Sequence, residues 1–229
     1  MRSEIRKSQD RGKTHVEWLE SYHSFSFGDY YDPKHISFGP LVVLNDDIIA
    51  PKKGFGMHYH ENAEIITIVL SGMLFHRDDH GFQGTIRAGE IQKMSAGSGV
   101  YHAEMNPSPD QPVRLLQIWL EPRTQGGSFS YESKSFEHMK HNELVKVVSG
   151  RERAGLMINQ SADFFLGIFD RDVSLNHIAH TGRVYAFVIE GSVQIEHDLL
   201  HQGDALVMND VSELKIIAHK SSKLLVIEV

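Results

Sequence analysis

Short apolar runs recur along the chain and are separated by clusters of glycine, asparagine, aspartate and proline. The runs are rich in valine, isoleucine and phenylalanine, which favour strands, and they are too short for typical helices. The pattern predicts a mostly β protein, with strands at 41–44, 65–70, 115–120, 184–189, 205–208 and 223–229. Segment 136–148 predicts a short helix, with a loop as the alternative, because several of its apolar residues roughly share one helical face.

The two halves of the chain carry the same plan of strands and turns, which indicates an internal repeat. Segment 58–72 aligns with 177–191, and each ends in an apolar run followed by glycine. Farther along, Gly89 and the acid after it align with Gly203 and the acid after that. A length of 229 residues accommodates two domains of ordinary size, so we expect a division into residues 1–129 and 130–229.

Composition excludes several classes of protein. There is no cysteine, so disulfides, thiolate metal ligands and cysteine nucleophiles are ruled out. The 30 acidic and 23 basic residues give a net charge of -7, which works against direct binding of nucleic acid. No apolar run approaches the ~20 residues of a membrane span, and the first residues are too polar for a signal peptide. We therefore expect a soluble, cytoplasmic protein, and we take a monomer as the first expectation.

Two histidine-containing pairs in the first half predict a metal site. His58 and His60 are separated by one residue, as are His102 and Glu104, and each pair lies in strand-like sequence. Residues i and i+2 of a strand point to the same side, so neighbouring strands would direct three imidazoles and one carboxylate to one point. Because the chain has 15 histidines, satisfied surface histidines are the alternative interpretation.

The repeat alignment predicts that the second half lacks this site. It retains a histidine, His177, at one of the four positions and puts Ala179, Ile216 and Ala218 at the others. We therefore expect the second half to be metal-free, with His177 and His180 in surface or structural roles.

The motifs around these residues resemble the two cupin signatures and, more narrowly, those of the pirin family of two-barrel cupins. The matching stretches are His58-Tyr-His60-Glu-Asn-Ala-Glu64 through to Gly72, Gly89 to His102 and Asn106, His23-Ser-Phe-Ser-Phe-Gly-Asp-Tyr-Tyr-Asp-Pro33, and Asn45-Asp46-Asp47. Many family members have proline between the first two histidines and a basic residue after them, where this chain has Tyr59 and Glu61. The resemblance covers nearly the whole chain, less specifically after about residue 130.

The resemblance implies an all-β fold of two tandem cupin barrels, which are double-stranded β-helix or jelly-roll barrels, with a few short helices. The N-terminal barrel, 1–129, would carry the metal, and the C-terminal barrel, 130–229, would be degenerate. Carried over by motif position, the ligands are His58, His60, His102 and Glu104. Glu64 would be a neighbour that orients a ligand histidine.

The expected cofactor is one divalent transition metal. Imidazole and carboxylate ligands suit iron, nickel, copper, manganese or zinc, and we take iron as the first expectation. A six-coordinate ion would keep two positions for substrate, water or dioxygen, whereas a closed tetrahedral zinc would keep none. The sequence leaves these alternatives open.

Bacterial members of the family resemble dioxygenases that open the ring of flavonols such as quercetin with O2, and the resemblance implies that activity here. Glu104 is then the expected catalytic base. Candidates for the aromatic and apolar walls of the pocket, most of them more typical of core, are Phe25, Phe27, Phe55, Met57, Met94 and Trp119. One alternative is a metal-binding, redox-responsive regulatory protein that acts through a protein partner. Another is a purely structural barrel with an adventitious metal.

Overall fold

The computed structural model describes residues 2–229 and is nearly all β. The strands are β1 (Arg2–Arg6), β2 (Gly12–Val16), β3 (Leu19–His23), β4 (Leu41–Ile49), β5 (Gly54–His60), β6 (Glu64–Ser71), β7 (Met73–Asp78), β8 (Gln83–Arg87), β9 (Glu90–Ser95), β10 (Val100–Met105), β11 (Val113–Leu120), β12 (Ser130–Ser135), β13 (Leu144–Ser149), β14 (Leu156–Met157), β15 (Asp163–Phe169), β16 (Ser174–Ile178), β17 (Arg183–Glu190), β18 (Ser192–Ile195), β19 (Asp198–His201), β20 (Ala205–Asn209), β21 (Glu213–Ala218) and β22 (Ser222–Glu228). The all-β prediction is confirmed, and the short helices amount, in the described residues, to one 3-10 turn at Ser8–Asp10. Over the same residues there is no helix with the length and hydropathy of a membrane span.

The six predicted strands are confirmed, but the helix predicted at 136–148 is wrong. The strands fall within β4, β6, β11, β17, β20 and β22, apart from Val229. Leu144–Ser149 instead form β13, which pairs antiparallel with β15. Val147 and Val148 are fully buried, and their β-branched side chains favour the strand over the helical spacing of the segment.

Contacts between Cα atoms divide the chain into two compact units. The N-terminal unit contains Gly12–Glu137 and Leu156–Gln160, and the C-terminal unit contains the residues up to Arg11, His138–Gly155 and Ser161–Val229. Strand β12 pairs with β9 in the N-terminal unit, and β1 pairs with β20 in the C-terminal unit. A division after residue 129 stays a prediction.

The N-terminal unit is built from two antiparallel sheets. The larger has the strand order β12-β9-β6-β11-β4-β3-β2, and the smaller has the order β5-β10-β7-β8. Both sheets contribute to one core, in which Ile49, Val69 and Val113 of the larger sheet cluster with Leu74 and Ile86 of the smaller. All five are at most 1% exposed, so the space between the sheets is closely packed at this end.

The C-terminal unit repeats this arrangement. Its larger sheet includes the order β1-β20-β17-β22-β15-β13, and its smaller sheet has the order β16-β21-β18-β19. Equivalent turns are made by glycines with positive φ, Gly72 (76°) and Gly191 (84°), then Gly89 (83°) and Gly203 (81°). Glycine adopts this conformation without the penalty that a side chain brings. The internal repeat is confirmed.

Candidate metal centre and pocket

Three histidines converge in the N-terminal unit because of the pairing of β5 with β10. His58 lies directly opposite His102 in this pair, and His60 follows on the same side of β5. The His58 ring centroid is 4.4 Å from that of His102 and 4.7 Å from that of His60. One ligand atom from each of the three lies within 4.8 Å of the others. This convergence is the arrangement that the sequence predicts for these residues.

The nitrogens of this cluster are suited to a cation. Among the described residues, Nε2 of His60 and both ring nitrogens of His102 are buried without a hydrogen-bond partner. Burial lowers the pKa of His60 to about 4 and that of His102 to about 2, so both imidazoles are neutral at pH 7. His58 donates from Nδ1 to the carbonyl oxygen of Gly56 at 2.8 Å, which leaves Nε2 as its lone-pair nitrogen. Neutral imidazoles with unpartnered nitrogens fit a metal ion.

Glu104 lies beside this cluster, on the far side of a bulge in the β5–β10 pairing. The register shifts between His102 and Glu104, and on its other side Glu104 lies directly opposite His76 of β7. Its ligand atom groups within 4.8 Å with those of His76 and His102, and no described group of this kind joins it to His58 and His60. His102 therefore belongs to two overlapping groups.

The Glu104 carboxylate is 2% exposed and is held from one side only. Gln117 Nε2 donates to its Oε2 at 2.8 Å, and Thr67 donates in turn to the Gln117 amide oxygen at 2.9 Å. In the described part of the chain Oε1 has no partner. Burial, with the nearby charge of Asp47, raises the pKa of Glu104 to about 7. The residue can thus exchange a proton near neutral pH through Oε1.

His76 is the residue that the sequence reasoning missed. It is fully buried, its Nε2 lies 2.9 Å from Asp78 Oδ2, and its ring lies 5.3 Å from that of His102. Its Nδ1 has no partner among the described residues. A signal was present, since His76 and Asp78 form a further pair spaced by one residue in an apolar segment.

The histidine cluster lines a cavity of about 350 Å³ with aromatic walls. Phe27, Phe55 and Trp119 line it, and the Trp119 ring lies 4.8 Å from that of His60 and 5.6 Å from that of Phe27. Of the other wall candidates, Phe25 and Met94 are fully buried in the core and Met57 is half exposed. We refer to this cavity as the histidine pocket.

Glu64 does not orient a ligand histidine. Its Oε2 accepts a hydrogen bond from Ser95 Oγ at 2.8 Å, and it lines a different cavity. The next residue, Ile65, lines the histidine pocket, and adjacent residues of a strand face opposite sides. The expectation from the first cupin signature is wrong for this residue.

The two departures from the family motif are exposed residues at the end of β5, Tyr59 within the strand and Glu61 just after it. Tyr59 is 46% exposed and packs against Tyr101, with 5.0 Å between ring centroids. Its hydroxyl lies 3.1 Å from Glu61 Oε2 and 3.2 Å from the carbonyl oxygen of Ser98. Tyr59 therefore anchors the histidine-bearing strand β5 to β10 and to the loop that precedes β10.

In the C-terminal unit, His177 has a structural partner. Its Nε2 lies 2.8 Å from Glu228 Oε1, and the backbone N–H of His180 donates to the same carboxylate at 2.8 Å. The pair is consistent with the structural role expected of these histidines.

Comparison with known proteins identifies the family. A family model described as Pirin matches residues 4–120, and one described as a quercetinase C-terminal cupin domain matches residues 146–229. The chain belongs to the pirin family. The two-barrel cupin fold implied by the resemblance is thereby confirmed.

Relatives of this pirin family member match over the full length. A protein of Escherichia coli strain K12 named quercetin 2,3-dioxygenase is 36% identical over 225 residues, covering 98% of this chain and 97% of the relative. The crystal structure of YhhW from Escherichia coli has a TM-score of 0.96 and 34% identity, covering 100% of this chain and 97% of that one. A crystal structure of the bacterial pirin YhhW in complex with nickel(II) has a TM-score of 0.95 and 34% identity, covering 100% and 99%.

Proposed function

We propose that this protein is a metal-dependent dioxygenase that opens the ring of a flavonol such as quercetin with O2. The observation that carries the proposal is the convergence of three imidazoles on an aromatic-walled pocket, with the buried Glu104 carboxylate beside one of them, His102. The name of the Escherichia coli relative, quercetin 2,3-dioxygenase, supports the same oxidoreductase class. A flat aromatic substrate is complementary to apolar walls that contain few polar groups.

The proposed metal ligands are His58, His60, His102 and Glu104. Nε2 of His60, both ring nitrogens of His102 and Oε1 of Glu104 have no hydrogen-bond partner among the described residues. The hydrogen bond of His58 uses its Nδ1 and leaves its Nε2 for the ion. The relative with nickel(II) supports a divalent ion, and iron remains our first expectation for this chain. When bound, such an ion would lower the pKa of a flavonol hydroxyl and hold its anion.

The chain's own residues supply the remaining requirements. Glu104 would accept the 3-hydroxyl proton at Oε1 once that oxygen is detached from the ion, because burial raises the pKa of this carboxyl and so makes it a better base. Gln117 fixes the other oxygen and so orients the carboxylate. Phe27, Phe55 and Trp119 position the rings of the substrate and exclude water from the reacting carbon atoms.

Quercetin consumption by metal-loaded protein tests this proposal. We expect loss of its near-visible absorption, carbon monoxide release, and at least about a hundredfold lower rate in His60→Ala, as for loss of an essential ligand or positioned group. His15→Ala is the matched control, because His15 is exposed on β2 of the same unit. Unchanged activity in His60→Ala would contradict the site assignment.

The regulatory alternative gives a different outcome in the same experiment. It requires metal bound in a His60-dependent manner, no turnover of quercetin or related phenolics, and one stoichiometric protein partner in a pull-down. A monomeric state and a cytoplasmic location stay predictions.

A further inference from the structure

A second cavity, of about 390 Å³, lies in the N-terminal unit on the other face of the larger sheet. Glu64, Lys93 and Ser95 line it, whereas Ile65, adjacent to Glu64 on β6, lines the histidine pocket. Because neighbouring residues of a strand face opposite sides, the sheet separates the two cavities. The volume is within the range of about 300–1,000 Å³ that is typical of small-molecule sites.

Strand register sets a polar row on the floor of this cavity. Glu64 of β6 lies opposite Ser95 of β9, and Ser95 lies opposite Ser130 of β12. Lys93, two residues from Ser95, is on the same face and donates from Nζ to Ser130 Oγ. The row therefore presents a carboxylate and an ammonium group side by side with serine hydroxyls.

The two charged groups are buried and attract each other, but they form no direct ion pair. Glu64 is 2% exposed and Lys93 is 6% exposed. No ion pair within 4.0 Å joins them in residues 2–229, and their hydrogen-bond partners are neutral, Ser95 and the Asn159 backbone for Glu64 and Ser130 for Lys93. Each group is a partial counter-ion of the other, and Glu132 is a second one for Lys93, but neither carboxylate contacts the ammonium directly. Incomplete compensation of buried charges is costly, so the arrangement favours a charged ligand.

Burial disfavours the charged form of both groups, and a ligand of opposite charge beside each would favour it again. It raises the pKa of Glu64 and lowers the pKa of Lys93. A cationic group next to the carboxylate and an anionic group next to the ammonium would stabilise the charged form of each.

The walls of the cavity are held in place by hydrogen bonds between loops. The backbone N–H of Asn62 donates to the carbonyl oxygen of Gly97 at 2.9 Å, and the Asn62 side-chain oxygen accepts from the backbone N–H of Gly126 at 2.7 Å. Asn159 Nδ2 donates to the Thr124 carbonyl oxygen at 3.0 Å. These bonds make a preformed site, which avoids the cost of ordering loops on binding.

One part of the wall is apolar. Pro122, Met157 and Ile158 line the cavity together with the polar row. The site thus combines an anionic group, a cationic group and an apolar surface.

We propose that this cavity binds a small zwitterion with an apolar side chain, of the α-amino-acid class. The ligand carboxylate lies against the Lys93 ammonium, the ligand ammonium lies against the Glu64 carboxylate, and the side chain contacts the apolar wall. The site is separate from the histidine pocket, and the proposal does not depend on the dioxygenase reaction.

Calorimetric titration with L-leucine tests the proposal, with 4-methylpentanoate and 3-methylbutylamine as analogues that carry one charge each. We expect L-leucine to bind, and each analogue to bind about tenfold or more weakly, since each lacks one charge-assisted contact. Lys93→Met and Glu64→Gln should each weaken L-leucine binding by about tenfold or more. Lys134→Met is the control, because Lys134 is exposed on β12 and does not line the cavity.

Three results would overturn the proposal. The first is no detectable binding of L-leucine at concentrations up to about 10 mM, since a weaker affinity would not indicate a specific site. The others are equal binding of a single-charge analogue, and an unchanged affinity for L-leucine in both variants. If Lys93→Met does not fold by circular dichroism, Ser130→Ala replaces it, and it must weaken binding because it releases the Lys93 ammonium from its position. Quercetin turnover by the same preparations is measured separately, so failure of one proposal leaves the other distinguishable.

Discussion

Replacement of Asp47 by asparagine should stabilise the metal-free protein at alkaline pH. Asp47 is 3% exposed, and the Ser21 hydroxyl donates to its Oδ1. Burial raises its pKa to about 7, the Ser21 hydrogen bond opposes that rise, and the charge of Asp46 adds to it. Asparagine keeps a side-chain oxygen that accepts the hydrogen bond from Ser21 but carries no charge. The substitution therefore removes the free-energy cost of burying an anion.

The size of the effect follows from the pKa. The carboxyl pKa moves from its ordinary value of 3.8 to about 7 in the folded protein. At ~1.4 kcal/mol per pKa unit, burial of the Asp47 charge lowers the free energy of unfolding by about 4 kcal/mol at pH 8, or by about 2 kcal/mol if water and ions partly solvate the carboxylate.

The sign is fixed by proton binding. The folded state binds the proton more tightly than the unfolded chain, so stability is greatest below about pH 4 and is lost as pH rises through about 7. Removal of Asp47 also relieves Glu104, whose pKa the Asp47 charge raises, and this adds to the stabilisation.

Thermal unfolding in EDTA between pH 4 and pH 9 measures this difference. We expect equal midpoints of wild type and Asp47→Asn near pH 4, and a midpoint higher by about 4 °C or more in the variant at pH 8. Asp46→Asn is the matched control, because Arg114 donates to both Asp46 oxygens at 2.9 Å and its loss should destabilise the protein. A lower midpoint for Asp47→Asn at pH 8, or a difference that does not grow with pH, would refute the reasoning.

Three further predictions concern a turn, the core and the pocket wall. Gly97→Ala should lower the free energy of unfolding more than Gly126→Ala, which should lower it by about 1 kcal/mol. Both glycines have positive φ, but a Cβ added at Gly97 would lie 2.3 Å from the carbonyl oxygen of Gly127, whereas one added at Gly126 would meet no described atom within 4 Å. Leu74→Ala should destabilise the protein by about 2–5 kcal/mol in urea, since Leu74 is fully buried. Phe27→Ala should raise KM for quercetin about tenfold and leave metal content unchanged, because Phe27 lines the pocket but offers no ligand atom.

The sequence predicts the histidine cluster because strand alternation is a local property. One intervening residue between His58 and His60 is enough to place both on the same side, whatever the rest of the fold. Whether a second strand brings His102 opposite His58 depends on register, which the glycine-bounded hairpins and the family motif together indicated.

The position of Glu104 depends on a feature that sequence spacing does not encode. The bulge between His102 and Glu104 changes the register to β5, and on the other edge the carboxylate meets His76 of β7. An irregularity of this kind arises from the pairing of three strands and so from tertiary structure. His76 enters the site through the pairing of β7 with β10, so its spacing from Asp78 was a signal but could not place it beside Glu104.

The wrong expectation for Glu64 arose because the motif was considered without the alternation of side chains along β6. Glu64 follows His60 by four residues, so the motif alone suggests that both face one site. However, Ile65, Thr67 and Val69 of β6 are almost fully buried, and Thr67 donates to the amide that holds Glu104. Burial alone does not assign a face, since Ile66 and Ile68 are equally buried, but the Thr67 link to Glu104 and the place of Ile65 in the pocket lining do. Strict alternation then sends Glu64 to the opposite face. The same alternation along β9 places Lys93 on the face that carries Glu64, so the two faces of a single sheet line two cavities with different chemistry.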